Sequence, residues 1–313
     1  MIELRATGPA DLPGLSELFA GRFGHPLTPE EWEWKYRRLP GEGRSVVAVE
    51  LGGGVVAHAG ALCLPARWRG GEGGIWQLAD FAGSPGRGLR PPLVELGRFL
   101  LADLPGPGDA PWIFGFPSER HFRLGERVFG YRPLARLQPL AGPLPDLPPP
   151  AGVGLETGDS CGPWAVAVWE ACGALGVRRS AAFLNWRYHA RPGRYYRFHR
   201  LREPGGREGL AVFAFVGREA WAAELWLPPG GEWYPSMLAA AADLRSSGLD
   251  AWCYWPGGPG GTRGTASLLA ALGLQPEGEP RFVGCRLRPG ADEPASAATA
   301  EGFTYSMGDY DLV

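Results

Sequence analysis

The stretch that decides the fold is QLADFAGSPGRGLRPPLVELGRFLLAD, Gln77 to Asp103. It begins as the end of a strand (Ile75 to Phe81), passes through a glycine-rich turn, Gly83-Ser84-Pro85-Gly86-Arg87-Gly88, and becomes a helix. Leu89, Leu93, Leu96, Leu100 and Leu101 recur there at the spacing of one helical face. Pro91 and Pro92 fall where a first turn tolerates proline, since those N–H groups have no partner within the helix. A strand, a glycine turn and a helix N-terminus together suit an anion: glycine lets the backbone come close, and the free N–H groups and helix dipole point at one spot. Arg87 adds a charge for phosphate oxygens. An ordinary strand-to-helix turn is the competing reading of these residues alone.

Working outward, Ile2–Arg5 reads as a short strand. Asp11 is the expected N-cap of a helix carrying Leu12, Leu15, Leu18 and Phe19. Thr28 and Glu31 form a capping-box pattern opening a second helix through Trp32, Trp34 and Tyr36. Ser45–Glu50 and Val55–Leu62, joined across Gly52–Gly54, predict a hairpin. Beyond the central stretch come a strand at Pro111–Phe116, a helix over Ser118–Val128 and a last strand at Leu134–Leu137.

These residues resemble the GNAT acyltransferase superfamily. Gly86-x-Gly88-Leu89, followed by Leu93, matches the family's cofactor turn, with Pro85 where the family has arginine. GFPSERHFRLGERVFGY (115–131) is similar to the family's closing segment, in which a helix ends at Gly130-Tyr131, and the order of elements is that of a complete domain. The resemblance implies a mixed α/β fold, a twisted and mostly antiparallel sheet flanked by helices. It implies acetyl-CoA as co-substrate, with Phe81, Ala82 and Gly83 beside the pantetheine arm and Gly86, Arg87, Gly88 and Leu89 at the pyrophosphate. Asp80, the carboxylate of that strand, is the candidate base, and an aspartate bonded to a turn is its plainer reading. Glu119 lies where the family often has an asparagine near the cofactor. The family's tyrosine acid is replaced by Glu126, which leaves Tyr131 as the nearest phenol in sequence, and core packing is its plainer reading. His58 and His121 read as satisfied histidines.

Residues 141–151, AGPLPDLPPPA, hold five prolines and read as an extended linker after a first domain of residues 1–140. In the second half Trp186-Arg187-Tyr188 and Pro192-Gly193 echo Trp34-Lys35-Tyr36 and Pro40-Gly41 at a constant offset of 152. Strands at Tyr195–Leu201, Gly209–Val216 and Ala220–Leu227 follow, then helix, strand, helix and strand up to Leu287. A repeat this long means two tandem domains of like fold, the second over 152–290. Its turn, Leu227–Trp233, lacks the Gly-x-Gly-Leu pattern and carries Glu232, which repels phosphate. The second domain is therefore expected to shape a pocket or to be structural. Residues 291–313 form a tail whose Phe303–Asp311 end resembles that of some two-domain GNAT-like proteins, and disorder is the default for a chain end.

The chain of 313 residues suits two domains, and 45% apolar with 20% charged residues describes a folding chain. A net charge of −2 argues against nucleic acid as partner. The five scattered cysteines have no metal-ligand spacing and suit a reducing compartment. No apolar run reaches membrane-spanning length and the N-terminus lacks a signal-peptide pattern, so a cytoplasmic monomer or homodimer is expected, with no metal. The sequence thus points to an acyl-CoA-dependent N-acyltransferase acting on a small-molecule amine such as an amino sugar. A non-catalytic ligand-binding protein on a duplicated scaffold is the alternative.

Overall fold

The computed structural model describes residues 1–84, 91–102, 104, 109–110, 112–255, 263–287 and 302–309. The turn residues Gly86, Arg87, Gly88 and Leu89 lie outside the described residues. The first half runs β1 (Ile2–Ala6), α1 (Leu12–Phe23), α2 (Pro29–Tyr36), β2 (Glu42–Glu50), β3 (Val55–Trp68), β4 (Gly71–Gly83), α3 (Pro91–Ala102), β5 (Trp112–Gly115), α4 (Glu119–Phe129) and β6 (Tyr131–Leu137). The second runs β7 (Leu140–Pro143), β8 (Gly154–Gly158), α5 (Trp164–Ala171), β9 (Leu175–Val177) and α6 (Ala181–Leu184), which continues as a π-turn over Asn185–His189. Then come β10 (Tyr196–Arg202), β11 (Glu208–Val216), β12 (Glu219–Trp226), α7 (Tyr234–Ser246), β13 (Ala251–Tyr254), α8 (Arg263–Ala271), β14 (Gln275–Pro276), β15 (Arg281–Leu287) and β16 (Phe303–Thr304).

The expected mixed α/β architecture is present, built as two compact units. The first holds Met1–Ala66, Gly71–Pro133 and Gly284–Ser296, and the second holds Arg67–Gly70, Leu134–Val283 and Ala297–Val313. The first sheet has the order β1-β2-β3-β4-β5-β15-β6, and the second β14-β7-β13-β12-β11-β10-β8. Along these orders each is antiparallel except at one parallel pair, β4 with β5 and β12 with β13, among the pairings described, while β9 and β16, parallel to each other, belong to the first sheet off this path.

The units do not follow the division at 141–151. β15 lies in the first unit's sheet although it follows the second half's helices, and β7 lies in the second unit's sheet although it falls at the expected linker. β15, from the C-terminal half, pairs antiparallel with β5 (Gly284 opposite Gly115), and β7, from the expected linker, pairs antiparallel with β13 (Leu140 opposite Tyr254). The physical reason is that a proline-flanked segment is already extended. Leu140, Ala141 and Gly142 keep their N–H groups for a ladder, and Pro143 sits at its end.

In the first unit α3 lays Leu93, Leu96, Leu100 and Leu101 on Val46, Ala48, Trp76 and Ile113 of the sheet, as the leucine spacing predicts. In the second, Met237, Leu238, Ala241 and Leu244 of α7 do the same over Leu201, Phe213 and Trp252. The Thr28 capping box is present in full: Glu31 N–H donates to Thr28 Oγ1 at 3.1 Å, and Thr28 N–H donates to Glu31 Oε2 at 3.0 Å. Asp11, expected to cap α1, does not do so through its side chain. Its carboxylate accepts from Arg5 (2.6 and 2.7 Å) and from the Gly8 N–H (2.8 Å), because a guanidinium fork outcompetes a single amide.

The tail also departs from expectation. Residues 302–309 are ordered within the second unit, where Phe303 pairs in parallel with Leu175 of β9 and Met307 is fully buried. Aromatic and apolar residues there bury enough surface to offset the entropy of ordering a chain end.

Because β15 completes the first sheet, residues 1–150 expressed alone should leave β5 and β6 without the strand between them. The expected outcome is a poorly dispersed amide spectrum against a well-dispersed one for the whole chain, measured by two-dimensional NMR.

Candidate functional site

β4 and β5 pair at Trp76/Ile113, Gln77/Phe114 and Leu78/Gly115, and among the described residues their ladder ends there. Asp80, two residues on, has φ 54°, the one left-handed non-glycine residue among those described. Such backbone costs about 1–3 kcal/mol and persists only where its surroundings fix it.

Those surroundings are specific. Lys35 Nζ stands 2.7 Å from Asp80 Oδ2, and the Tyr36 hydroxyl donates to the same oxygen at 2.6 Å. The Lys35 and Asp80 side chains are only 8% and 11% exposed, so the pair is largely out of water. The Asp80 carbonyl accepts from His58 Nδ1 at 2.9 Å, and His58 Nε2 meets Ser45 Oγ at 2.9 Å. A carbonyl only accepts, so the proton of the neutral ring is on Nδ1 and Nε2 is an acceptor facing Ser45 Oγ, which also lies 2.8 Å from Thr7 Oγ1. Trp32 Nε1 donates to Ser45 Oγ at 3.1 Å. Glycine makes room for this arrangement: a Cβ on Gly60 of β3 would overlap the Tyr36 phenol, and one on Gly43 of β2 would overlap the Tyr36 carbonyl.

Burial holds the His58 imidazole below its ordinary range, with Lys35 adding to the effect and Asp80 opposing it. Burial works against ionisation of Asp80, but Lys35, His58 and Tyr36 together outweigh it and hold the carboxyl below the usual range. Both bonds fall on Oδ2, and among the described residues no group bonds Oδ1. The site therefore offers a fixed negative charge with one oxygen that no described residue bonds, on a strand segment that no described residue of β5 pairs with.

The other expected residues lie as follows. Phe81 and Tyr131 flank Phe129, with ring centroids 6.3 and 5.8 Å from it, and the Tyr131 ring lies over Gly125. Ala82 is buried and Gly83 ends β4. Glu119 is exposed in the first turn of α4 and pairs with Arg123 at 2.5 Å. Cys63, Cys161, Cys172 and Cys253 are free, with burial pushing the first three thiols up to about 12 and the last to about 11. None is a nucleophile at neutral pH. Among the described residues no three His, Cys, Asp or Glu gather as metal ligands, and no helix is long and apolar enough to cross a membrane.

Sequence reading missed the partners of Asp80, though it singled out two of them. Lys35 and Tyr36 form the core of the internal repeat, and their copies are Arg187 and Tyr188. The Tyr188 hydroxyl donates at 2.6 Å to Glu224 Oε1 on β12, the fourth strand in the second unit. Glu224 also accepts from Trp226 Nε1 (2.6 Å) and from Arg179 Nε (3.0 and 3.1 Å). Burial and Asp309 push the Glu224 carboxyl up, yet all its partners are donors, a geometry suited to the charged form. At the turn after β12 the Trp233 indole packs against Gly231 and donates to the Pro228 carbonyl at 2.9 Å.

The fold is that of tandem GNAT proteins, as the sequence resemblance implies. One solved relative in fold is a tandem GNAT protein from the clavulanic acid biosynthesis pathway. It is 15% identical with TM-score 0.63, over 93% of this chain and 100% of that one. Another is a GCN5-related N-acetyltransferase from Anabaena variabilis, 12% identical with TM-score 0.68 over 92% and 73% of the two chains. A third is a glucosamine N-acetyltransferase region within a fungal multi-domain β-N-acetylglucosaminidase, 14% identical with TM-score 0.61 over 91% of this chain and 38% of that one. No family model matches the sequence, and no curated protein matches it. At these identities the likeness is one of fold.

Two outcomes follow from the buried network. Lys35→Met leaves the Asp80 charge uncompensated and should cost about 3–5 kcal/mol in urea unfolding, whereas Tyr36→Phe should cost about 1.5–3. Unfolded, His58 takes its proton near pH ~6.5 and Asp80 near ~3.9; folded, both do so only at lower pH. Their stabilisation is thus complete above the unfolded values and lost as pH falls, through His58 first. The thermal midpoint should drop from about pH 7 to about pH 5, and drop less in His58→Gln.

Proposed function

We propose that the first unit transfers an acyl group, acetyl in the simplest case, from acyl-coenzyme A to the nitrogen of a small-molecule amine. The observation that carries this reading is Asp80: a carboxylate held in strained backbone by Lys35, Tyr36 and His58, one oxygen bonded by no described residue, where β4 leaves β5. Strain at a ligand-facing position is a mark of function rather than of packing.

Acyl-CoA supplies the thioester, and Phe81, Ala82 and Gly83 are the main-chain positions proposed to lie beside it, with Gly86, Arg87, Gly88 and Leu89 taking the pyrophosphate. Asp80 Oδ1 draws in the acceptor's ammonium and aligns it. Because Lys35 and Tyr36 hold its carboxyl low, Asp80 passes the amine's proton on to water rather than storing it. The nitrogen then attacks the thioester carbonyl and forms the C–N bond, its second proton passes through Asp80 to water as the C–S bond breaks, and the thiolate departs. Tyr131 is the phenol assigned to protonate it, and Glu119, tied to Arg123 at the surface, is assigned to the cofactor's outer rim. An amino sugar is the proposed acceptor class, in keeping with the glucosamine N-acetyltransferase region that shares the fold.

The competing reading, ligand binding without turnover, draws on the same ion pair, since a depressed carboxylate is a weak base. Calorimetry with acetyl-CoA should show saturable heat at one equivalent per chain, and no heat at millimolar ligand removes the enzyme reading. Asp80→Asn should lower kcat on the order of 10²-fold, with acetyl-CoA affinity unchanged within about twofold. Binding with no turnover over a panel of amino sugars and other amines would select the second reading.

A further inference from the structure

The two units carry the same site at the same register. In the second, as in the first, the fourth strand parts from its parallel neighbour after a last described pair, here Ala222/Tyr254. The carboxylate again stands two residues on, at Glu224, and the repeat tyrosine again donates to it at 2.6 Å. A bulge at Ala223, where Val212 and Phe213 face Glu224 and Ala222, turns the strand at this point.

The surroundings of that carboxylate differ. In the first unit the basic residue before the tyrosine, Lys35, pairs with the carboxylate. In the second, that residue is Arg187, and its Nε donates at 2.8 Å to the carbonyl of Gly308 in the tail. Gly308 rests directly on the site. A Cβ there would overlap the Tyr188 hydroxyl oxygen and stand 2.9 Å from the carbonyl of Ala223, the residue before Glu224. Asp309 and Ser306 close around the far side of Arg179, whose NH2 donates to Asp309 Oδ1 and Oδ2 at 2.9 Å each and to Ser306 Oγ at 2.6 Å. The Ser306 N–H completes the turn by donating to Asp309 Oδ2 at 2.8 Å. Arg179 and Glu224 are fully buried, and Asp309 is 2% exposed.

From this geometry we propose that Phe303–Asp309 is a resident peptide ligand of the second unit's copy of the site. Its glycine lies on the tyrosine and strand, its aspartate on Arg179, and together they close that site to acceptor and thioester alike. The segment fits because of its chemistry: a residue without Cβ where the strand and phenol come closest, and a carboxylate that answers a guanidinium already holding Glu224. The assignment does not depend on any activity of the first unit.

Hydrogen–deuterium exchange on the full-length chain tests it. Amides of 303–309 should be protected at least about 100-fold over an unstructured peptide. Millimolar acetyl-CoA or glucosamine should leave that protection unchanged. Gly308→Ala should expel the segment and abolish its protection, while the amides of β3 in the first unit keep theirs. Exchange of 303–309 at the unstructured rate in the unaltered protein, displacement of the segment by either small molecule, or full protection in Gly308→Ala would each overturn the proposal. The first two are read on the unaltered protein, so they hold whether or not the variant folds.

Discussion

A carboxylate taken out of water must be answered by donors, and in each unit one such carboxylate lies on the fourth strand, just past its parting from the fifth. Removing such a group from water costs several kcal/mol unless hydrogen bonds and an opposite charge replace the lost solvation. In the first unit the answer comes from the end of α2, through Lys35 and Tyr36, while His58 of β3 holds the backbone carbonyl of the same residue. Helix, hairpin and central strand are therefore tied at a single residue, and glycines at 43 and 60 are required so that the tyrosine can reach it.

The duplicated chain meets the same demand twice with different means. The tyrosine is common to both copies, and its donation to the strand carboxylate is the shared element. The cation is not. A lysine adjacent in sequence serves Asp80, whereas Glu224 draws on Arg179, which lies before α6 and also binds the tail. A guanidinium has enough donors for two carboxylates and a hydroxyl at once, and an ammonium does not offer that planar fork. In the second unit Arg187 Nε donates to the Gly308 carbonyl.

The parts legible in the sequence are those written in local periodicity. The leucines of α3, the Thr28–Glu31 box, the alternating strands and the order of elements all follow from neighbours within a few residues. The repeat announced the duplication, and it marked Tyr36 and Tyr188 without revealing what they bond. Asp80 is 44 residues from Tyr36, and no spacing rule spans that distance. The strand exchange was hidden for a related reason: proline-rich composition declares an extended backbone but not which sheet receives it. The tail was misjudged because chain ends are usually frayed, whereas Arg179 gives this one a buried charge partner.

Backbone conformation separates the two copies in a way that side chains alone would not. Asp80 is left-handed at φ 54°, while Glu224, at the equivalent position, shows no positive φ. The extra methylene of glutamate lets its carboxylate reach the tyrosine from relaxed backbone, with the twist taken up by a bulge at Ala223. Aspartate is shorter, and in the first unit the backbone itself is bent to the task. A strain of about 1–3 kcal/mol in one unit and its relief in the other is what divergence would leave behind if only the first copy still had to present a carboxylate to a ligand. The second copy, once its carboxylate was enclosed, could exchange strain for packing and retain the fold.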